Sequence, residues 1–259
     1  MPADFLALPE VPEKPRPIAV THMLDKGLPV QLTADHLSTY GQHMDFWKFG
    51  WGTAYLETAL TEKVALLRDH GVVACLGGTL LEIAWAQDAV EDCLSWAREV
   101  GFTAVEVSRG SVPMSRQAKG ELIARATQHF TVLAETGYKD ADRFMGVDEW
   151  SEEIAEDLSH GATFIVAEGR ESGTVGVYDH DGEPKLDVVN AVIAAAGIER
   201  ALFEAPRKSQ QVWFINTFGP HVNLGNIPPD DALSLATLRR GLRADTLGLV
   251  VGPAADLLA

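Results

Sequence analysis

Eight short apolar segments, separated by stretches of helical periodicity in a chain of 259 residues, predict an α/β protein with the (β/α)8 TIM-barrel architecture. Two further observations point the same way. The wholly apolar run Phe164-Ile165-Val166-Ala167 suits a strand covered on both faces. The alternative, a doubly wound sheet, would prefer a GxGxxG or GxxxxGK[ST] loop after its first strand, and neither is present. Residues 1–17 hold five of the thirteen prolines (Pro2, Pro9, Pro12, Pro15 and Pro17) and read as a tail lying over the surface. Residues 18–259 read as one domain.

The expected strands are 18–24, 46–49, 72–76, 104–107, 131–134, 163–167, 201–203 and 222–224. Between them, Leu56, Leu60, Val64 and Leu67 recur at helical spacing, with Gly71 as a stop. Thr79 and Glu82 have the spacing of a capping box. Asp148 or Ser151 starts another helix, which ends before Gly161. An Ala/Val/Ile-rich helix fills 185–196 and ends at Gly197, and one more covers 230–240 with Leu233, Leu235 and Leu238. Trp85, Trp96 and Trp213 fall in helical stretches as packing residues.

Composition excludes several classes. No apolar run approaches the roughly 18 residues of a spanning helix, and the N-terminus lacks a signal-peptide pattern. Cys75 and Cys93 are the only cysteines and form no CxxC, which suits a reducing compartment; a cytoplasmic location is expected. A net charge of −16 disfavours nucleic acid and anionic membranes as partners. An anionic substrate would therefore need local cations gathered against the global field.

Such cations fall where a barrel does its chemistry, at the C-terminal ends of the strands. They are Lys26, Lys48, Arg109, Lys139, Arg170 and Lys208, and beside them lie the acids Asp25, Glu106, Glu135, Glu168 and Glu204. Burying such groups costs several kcal/mol unless they are paired or neutralised, so their concentration at one face signals function. The cations suit small anions carrying phosphate, carboxylate or sulfonate groups. The acids suit a hard divalent cation such as Mg2+. Together they suit a polyanion whose carboxylate becomes enolate-like while a proton moves at the α-carbon. No HxH or HExxH spacing supports a histidine zinc site, and His22 reads as a core or supporting residue. Ser108, Ser111 and Ser172 lie outside any GxSxG elbow. Cys75 reads as core, and Trp51 as a wall of the site.

The strand-end segments resemble the phosphosulfolactate synthase family. They are Asp25-Lys26-Gly27-Leu28-Pro29, Lys48-Phe49-Gly50-Trp51-Gly52-Thr53, Gly77-Gly78-Thr79-Leu80 and Glu168-Gly169-Arg170-Glu171-Ser172-Gly173. After these come Phe203-Glu204-Ala205-Pro206, Lys208-Ser209-Gln210-Gln211, Val222-Asn223-Leu224 with Asn226, and Leu238-Arg239-Arg240-Gly241-Leu242-Arg243 with Asp245-Thr246. The resemblance implies a barrel, a homo-oligomer, and Mg2+-dependent addition of sulfite to phosphoenolpyruvate, giving (R)-2-phospho-3-sulfolactate. It implies Lys139 as the residue that moves the proton. Lys26 and Lys48 are the other expected catalytic residues, and Glu168, Glu204, Glu106 and Asp25 of the strand-end acids are the expected metal ligands. Arg109, Arg170, Lys208, Ser172, Gly173, Asn223 and Asn226 are the expected substrate contacts. Ser172-Gly173 after the sixth strand and Asn223 with Gly225-Asn226 after the eighth are both candidates for gripping phosphate; the usual place of barrel phosphate sites favours the latter, with Arg240 or Arg243 assisting. Two positions depart from the family pattern: Arg109 stands where the family has aspartate, and Tyr138 where it has lysine. They raise one alternative, a different nucleophile or enol phosphate; plant heat-stress-associated relatives of the family raise another, a non-catalytic barrel used for binding or protection.

Overall fold

A computed structural model describes residues 5–139 and 145–251. Its eight parallel strands close into a barrel in the order β1 to β8. They are β1 Thr21–Asp25, β2 Phe46–Phe49, β3 Val73–Leu76, β4 Ala104–Val107, β5 Thr131–Thr136, β6 Phe164–Ala167, β7 Ala201–Glu204 and β8 Asn223–Ile227. The helices are α1 Val30–Tyr40, α2 Thr53–Leu56, α3 Leu60–Asp69, α4 Gly78–Ala86, α5 Val90–Val100, α6 Arg116–Ala126, α7 Val147–Ser159, α8 Leu186–Ala196, α9 Lys208–Phe218, α10 Ala232–Arg239 and α11 Gly248–Val251. The first strand starts later than the sequence suggests because Ala19 has a positive φ of 61°, which breaks extended geometry.

Strand alternation positions the site. Val20, Phe46, Cys75, Ala104, Leu133, Val166 and Leu202 pack together inside the barrel. Successive side chains of a strand point to opposite faces. Two residues further on from the inner layer, Lys48, Glu106, Glu135, Glu168 and Glu204 therefore meet at the C-terminal mouth. The other parity, including Met23, Trp47, Phe49, Val105, Val132, Ile165 and Phe203, packs against the helices.

Three helix expectations are corrected. Leu56 is 82% exposed, and Glu57 is extended between α2 and α3, so the apolar period begins at Leu60. Thr79 and Glu82 form no capping box. The N-cap of α4 is Gly77, where a Cβ would lie 2.5 Å from the Phe49 carbonyl oxygen. The Glu82 carboxylate instead accepts from Ser108 Oγ and, at 2.8 Å, from Ser111 N. Helix α7 is capped by Gly146, which leaves Asp148 and Glu149 in its first turn, where they complement the helix dipole.

On the opposite, N-terminal face, the described part of the tail is tied down by polar contacts. Arg16 Nε lies 3.0 Å from Asp45 Oδ1, Lys14 Nζ donates to the Gly41 carbonyl at 2.9 Å, and the His221 ring lies 2.8 Å from the Glu10 carbonyl oxygen. Among the described residues, no helix is long and apolar enough to cross a membrane.

Candidate active site

The mouth of the barrel holds a cavity of about 230 Å³ whose lining includes Lys48, Glu106, Glu135, Lys139, Glu168, Arg170, Glu204 and Asn226, with Trp51 and Gly78 also on its wall. Buried Lys48 bridges two strands: its Nζ is 2.9 Å from Glu106 Oε2 and 3.0 Å from Glu204 Oε1. The other Glu106 oxygen accepts from Gly78 N at 3.1 Å. The other Glu204 oxygen accepts from Gly169 N and Arg170 N, both at 2.9 Å. Arg170 N also reaches Glu168 Oε1 at 2.7 Å. That turn requires a positive φ of 57° at Arg170, and Asn226 enters the cavity with φ 53°. Left-handed backbone at non-glycine residues costs about 1–3 kcal/mol each and clusters at functional sites.

Lys139 reaches in from the loop after β5. Its Nζ is 3.0 Å from Glu135 Oε1 and 3.4 Å from Glu82 Oε1. Burial works against the charges of Lys48 and Lys139, but the surrounding glutamates win and hold both pKa values above the ordinary lysine range. Burial likewise pushes Glu135 up, yet Lys139 and Lys48 overcome it and hold the carboxyl at about 2. Glu106 goes the other way: burial outweighs Lys48 and raises it to about 7. Glu168 lies well above the usual carboxylate range, through burial and then the charges of Glu135 and Glu204. The neighbouring Glu135 and Glu168 are thus pushed in opposite directions, the first down by the lysines and the second up by burial and its acidic neighbours. One oxygen each from Glu106, Glu135 and Glu204 lies within 4.8 Å of the others. That is an all-oxygen donor set of the kind hard cations take.

The match to known proteins decides the family. Residues 9–245 match the (2R)-phospho-3-sulfolactate synthase (ComA) family. The chain belongs to the phosphosulfolactate synthase family. A phosphosulfolactate synthase from Methanothermobacter thermautotrophicus is 43% identical over 253 residues, covering 95% of this chain and 98% of the relative. One from Bacillus subtilis is 40% identical over 250 residues, covering 95% and 99%. Both are lyases, and the chain is an enzyme of that class. Among solved structures, a 3-hexulose-6-phosphate synthase superposes with a TM-score of 0.53 at 16% identity, covering 85% of this chain and 97% of that one. That likeness speaks for the barrel alone.

Within the family site, the structure sorts the residues singled out from sequence. Lys48, Lys139, Arg170, Glu106, Glu168, Glu204 and Asn226 converge on the cavity. Seven others do not line it. Asp25 has the outward parity and is fully buried behind β1. It accepts from Gly27 N, Leu28 N and Trp47 Nε1 and pairs with Lys63 at 2.6 Å, so it anchors a loop instead of holding a metal. Lys26 is exposed on the rim, its Nζ 5.2 Å from the Trp51 ring centroid. Arg109 points to α7, where Nε donates to Glu153 at 3.0 Å and the terminal nitrogen pairs with the other carboxylate oxygen. Lys208 lies 2.7 Å from Asp245. Ser172 meets Thr174 at 2.9 Å, and the Gly173 carbonyl accepts from Gln210 at 2.8 Å.

Asn223 is at the wrong end of β8. Its amide joins the Glu199 and Ala201 carbonyls at 2.9 and 3.0 Å, and its oxygen accepts from Val20 N at 3.0 Å, which ties the barrel floor together. Asn223→Ala is expected to cost about 1–3 kcal/mol, by stranding buried backbone groups, and to leave kcat unchanged. Urea unfolding and steady-state kinetics check both halves.

Sequence reading missed two contributors. Glu135 was grouped with the strand-end acids but not with the metal ligands, although its two-residue step from Leu133 repeats that of Glu106 from Ala104. Glu82 carries only the spacing of a capping box, and its contacts with Ser108 and Ser111 cross between barrel units, beyond the reach of any local pattern.

Proposed function

We propose that this family site catalyses Mg2+-dependent addition of sulfite to phosphoenolpyruvate, giving (R)-2-phospho-3-sulfolactate. The observation that carries the reading is one cavity in which Lys48, Lys139 and Arg170 meet Glu106, Glu135 and Glu204. Cations alone would suit any anion, and acids alone any metal. Both together suit a polyanionic substrate bound with a divalent cation.

The donor set fits that cation. Its oxygens are hard, and the carboxylates around the cavity outnumber the lysines, so a divalent charge offsets the excess. Glu106, Glu135 and Glu204 would hold Mg2+, which when bound stabilises negative charge developing on the substrate carboxylate. The protein's own groups do the rest. Lys48 and Arg170 hold substrate oxygens against the negative field of the molecule. Sulfur attacks the terminal methylene carbon, forming the C–S bond as the double-bond electrons move toward the carboxylate. Lys139 then delivers a proton to the carbon bearing phosphate. Its glutamate neighbours keep Lys139 protonated before substrate arrives, which is the state an acid needs.

The test is direct. Protein with Mg2+, phosphoenolpyruvate and sulfite is followed by 31P and 1H NMR. Phosphosulfolactate is expected to appear, to stop on chelation, and to fall about 10²–10⁴-fold with Lys139→Ala. Bound phosphoenolpyruvate that stays unreacted with sulfite overturns the assignment of nucleophile.

A further inference from the structure

A second polar cavity, of about 490 Å³, lies on the N-terminal face of the barrel, across the molecule from the catalytic mouth. Lys14 and Arg16 of the tail line it, together with Gln42 and His43 from the turn before β2 and Arg240 from the end of α10. Arg240 is one of the residues expected from sequence to assist phosphate binding at the mouth. Barrel helices run antiparallel to the strands, so the C-terminal end of α10 lies on the floor. Its neighbour Arg239 confirms this by donating to the carbonyls of Pro220, Val222 and Val20.

This gathering of cations is unexpected on a protein of net charge −16, and it is incompletely neutralised. Arg16 is matched by Asp45. Lys14 donates to a backbone carbonyl and makes no ion pair among the described residues, although the charge of Asp45, already paired with Arg16, also reaches it. The Arg240 side chain makes no hydrogen bond or ion pair among the described residues, and its Nε is buried without an acceptor. His43 feels all three cations: burial first, then Arg16, Arg240 and Lys14, keep its imidazole neutral. The groups therefore share one electrostatic neighbourhood. The acid on the lining, Glu13, is exposed.

We propose that this floor cavity binds a phosphate group, free or as a monoester, through Lys14, Arg240 and the His43 ring. Two cations that make no ion pair among the described residues match a dianion. A guanidinium offers paired donors to two phosphate oxygens, and a neutral imidazole adds one N–H. The bound group would clasp the tail to the turn before β2 and to α10. This site is independent of the reaction at the mouth.

Equilibrium dialysis of the full chain with inorganic phosphate tests it. Wild-type protein is expected to bind phosphate at a class of sites that Lys14→Gln/Arg240→Gln weakens by about tenfold or more, with kcat and KM at the mouth unchanged. Glu13→Gln removes the opposing acid and is expected to tighten the same class by about threefold, a gain that misfolding cannot produce. Glycerol 3-phosphate competing as well as inorganic phosphate identifies a site open to monoesters, and failure to compete identifies one for the free ion. Coincident phosphate isotherms for the wild type, the double variant and Glu13→Gln overturn the proposal.

Discussion

Lys48→Met is expected to lower the unfolding free energy by about 3–5 kcal/mol, the range for removing one partner of a buried ion pair. It is also expected to reduce kcat by about 10²–10³-fold, as loss of a preorganised electrostatic group does. Methionine nearly fills the same space, so the loss is one of charge. The Lys48 ammonium is shared between Glu106 and Glu204 at 2.9 and 3.0 Å. Without it, two buried carboxylates face each other near Glu135. Glu106, already raised to about 7, must rise further. A carboxyl whose folded pKa exceeds its unfolded value binds extra protons in the native state, so stability falls as pH rises between those two values. The variant is therefore less destabilised at pH 5 than at pH 8. Urea unfolding at both values reads this directly, and an equal deficit at the two pH values would sink the argument.

Arg109→Asp restores the family residue and is expected to destabilise the fold without changing the reaction. The guanidinium pairs with Glu153, which is buried and is also held by Lys119 at 2.8 Å. Burial drives the Glu153 pKa up, but Lys119 and Arg109 together bring it below its ordinary value. Aspartate would exchange an attraction for a repulsion, and breaking a buried pair costs about 3–5 kcal/mol. Glu153→Gln in the same chain is expected to recover part of that loss. Activity per folded molecule should stay within a few-fold, because Arg109 faces α7 and does not line the cavity. A tenfold rise in sulfite turnover on Arg109→Asp would show instead that this position governs the nucleophile. Tyr138 belongs to the same outer cluster: its hydroxyl donates to Glu149 at 3.0 Å, and the Arg109 guanidinium lies 5.5 Å from its ring centroid. The two departures from the family pattern thus sit together, one supporting the other.

Much of the site was legible in the chain. Phe46 and Lys48, Ala104 and Glu106, Leu133 and Glu135, Val166 and Glu168, and Leu202 and Glu204 each repeat an apolar-then-charged step of two residues. Strand geometry converts that step into an inner apolar layer capped by a charged one. The same parity separates Asp25 from these acids, since Asp25 shares a face with Met23, which packs toward the helices. Reading every charged strand end as equivalent overlooked this alternation. Asn223 was misplaced for a related reason: an asparagine in an apolar segment does not say which end of the strand it occupies.

The order of elements, the closing of eight strands and the side of each strand that carries charge follow from local sequence, because apolar periodicity and backbone pleating act over a few residues. The partners of those charges do not. Arg109 and Glu153 are 44 residues apart, and Lys48 and Glu204 are 156 apart. Whether a cation faces substrate or is neutralised depends on the distance and burial of its neighbours. Both quantities exist only once the helices have packed around the barrel. That packing turned Arg109 outward to Glu153 and left Lys48, Lys139 and Arg170 at the mouth.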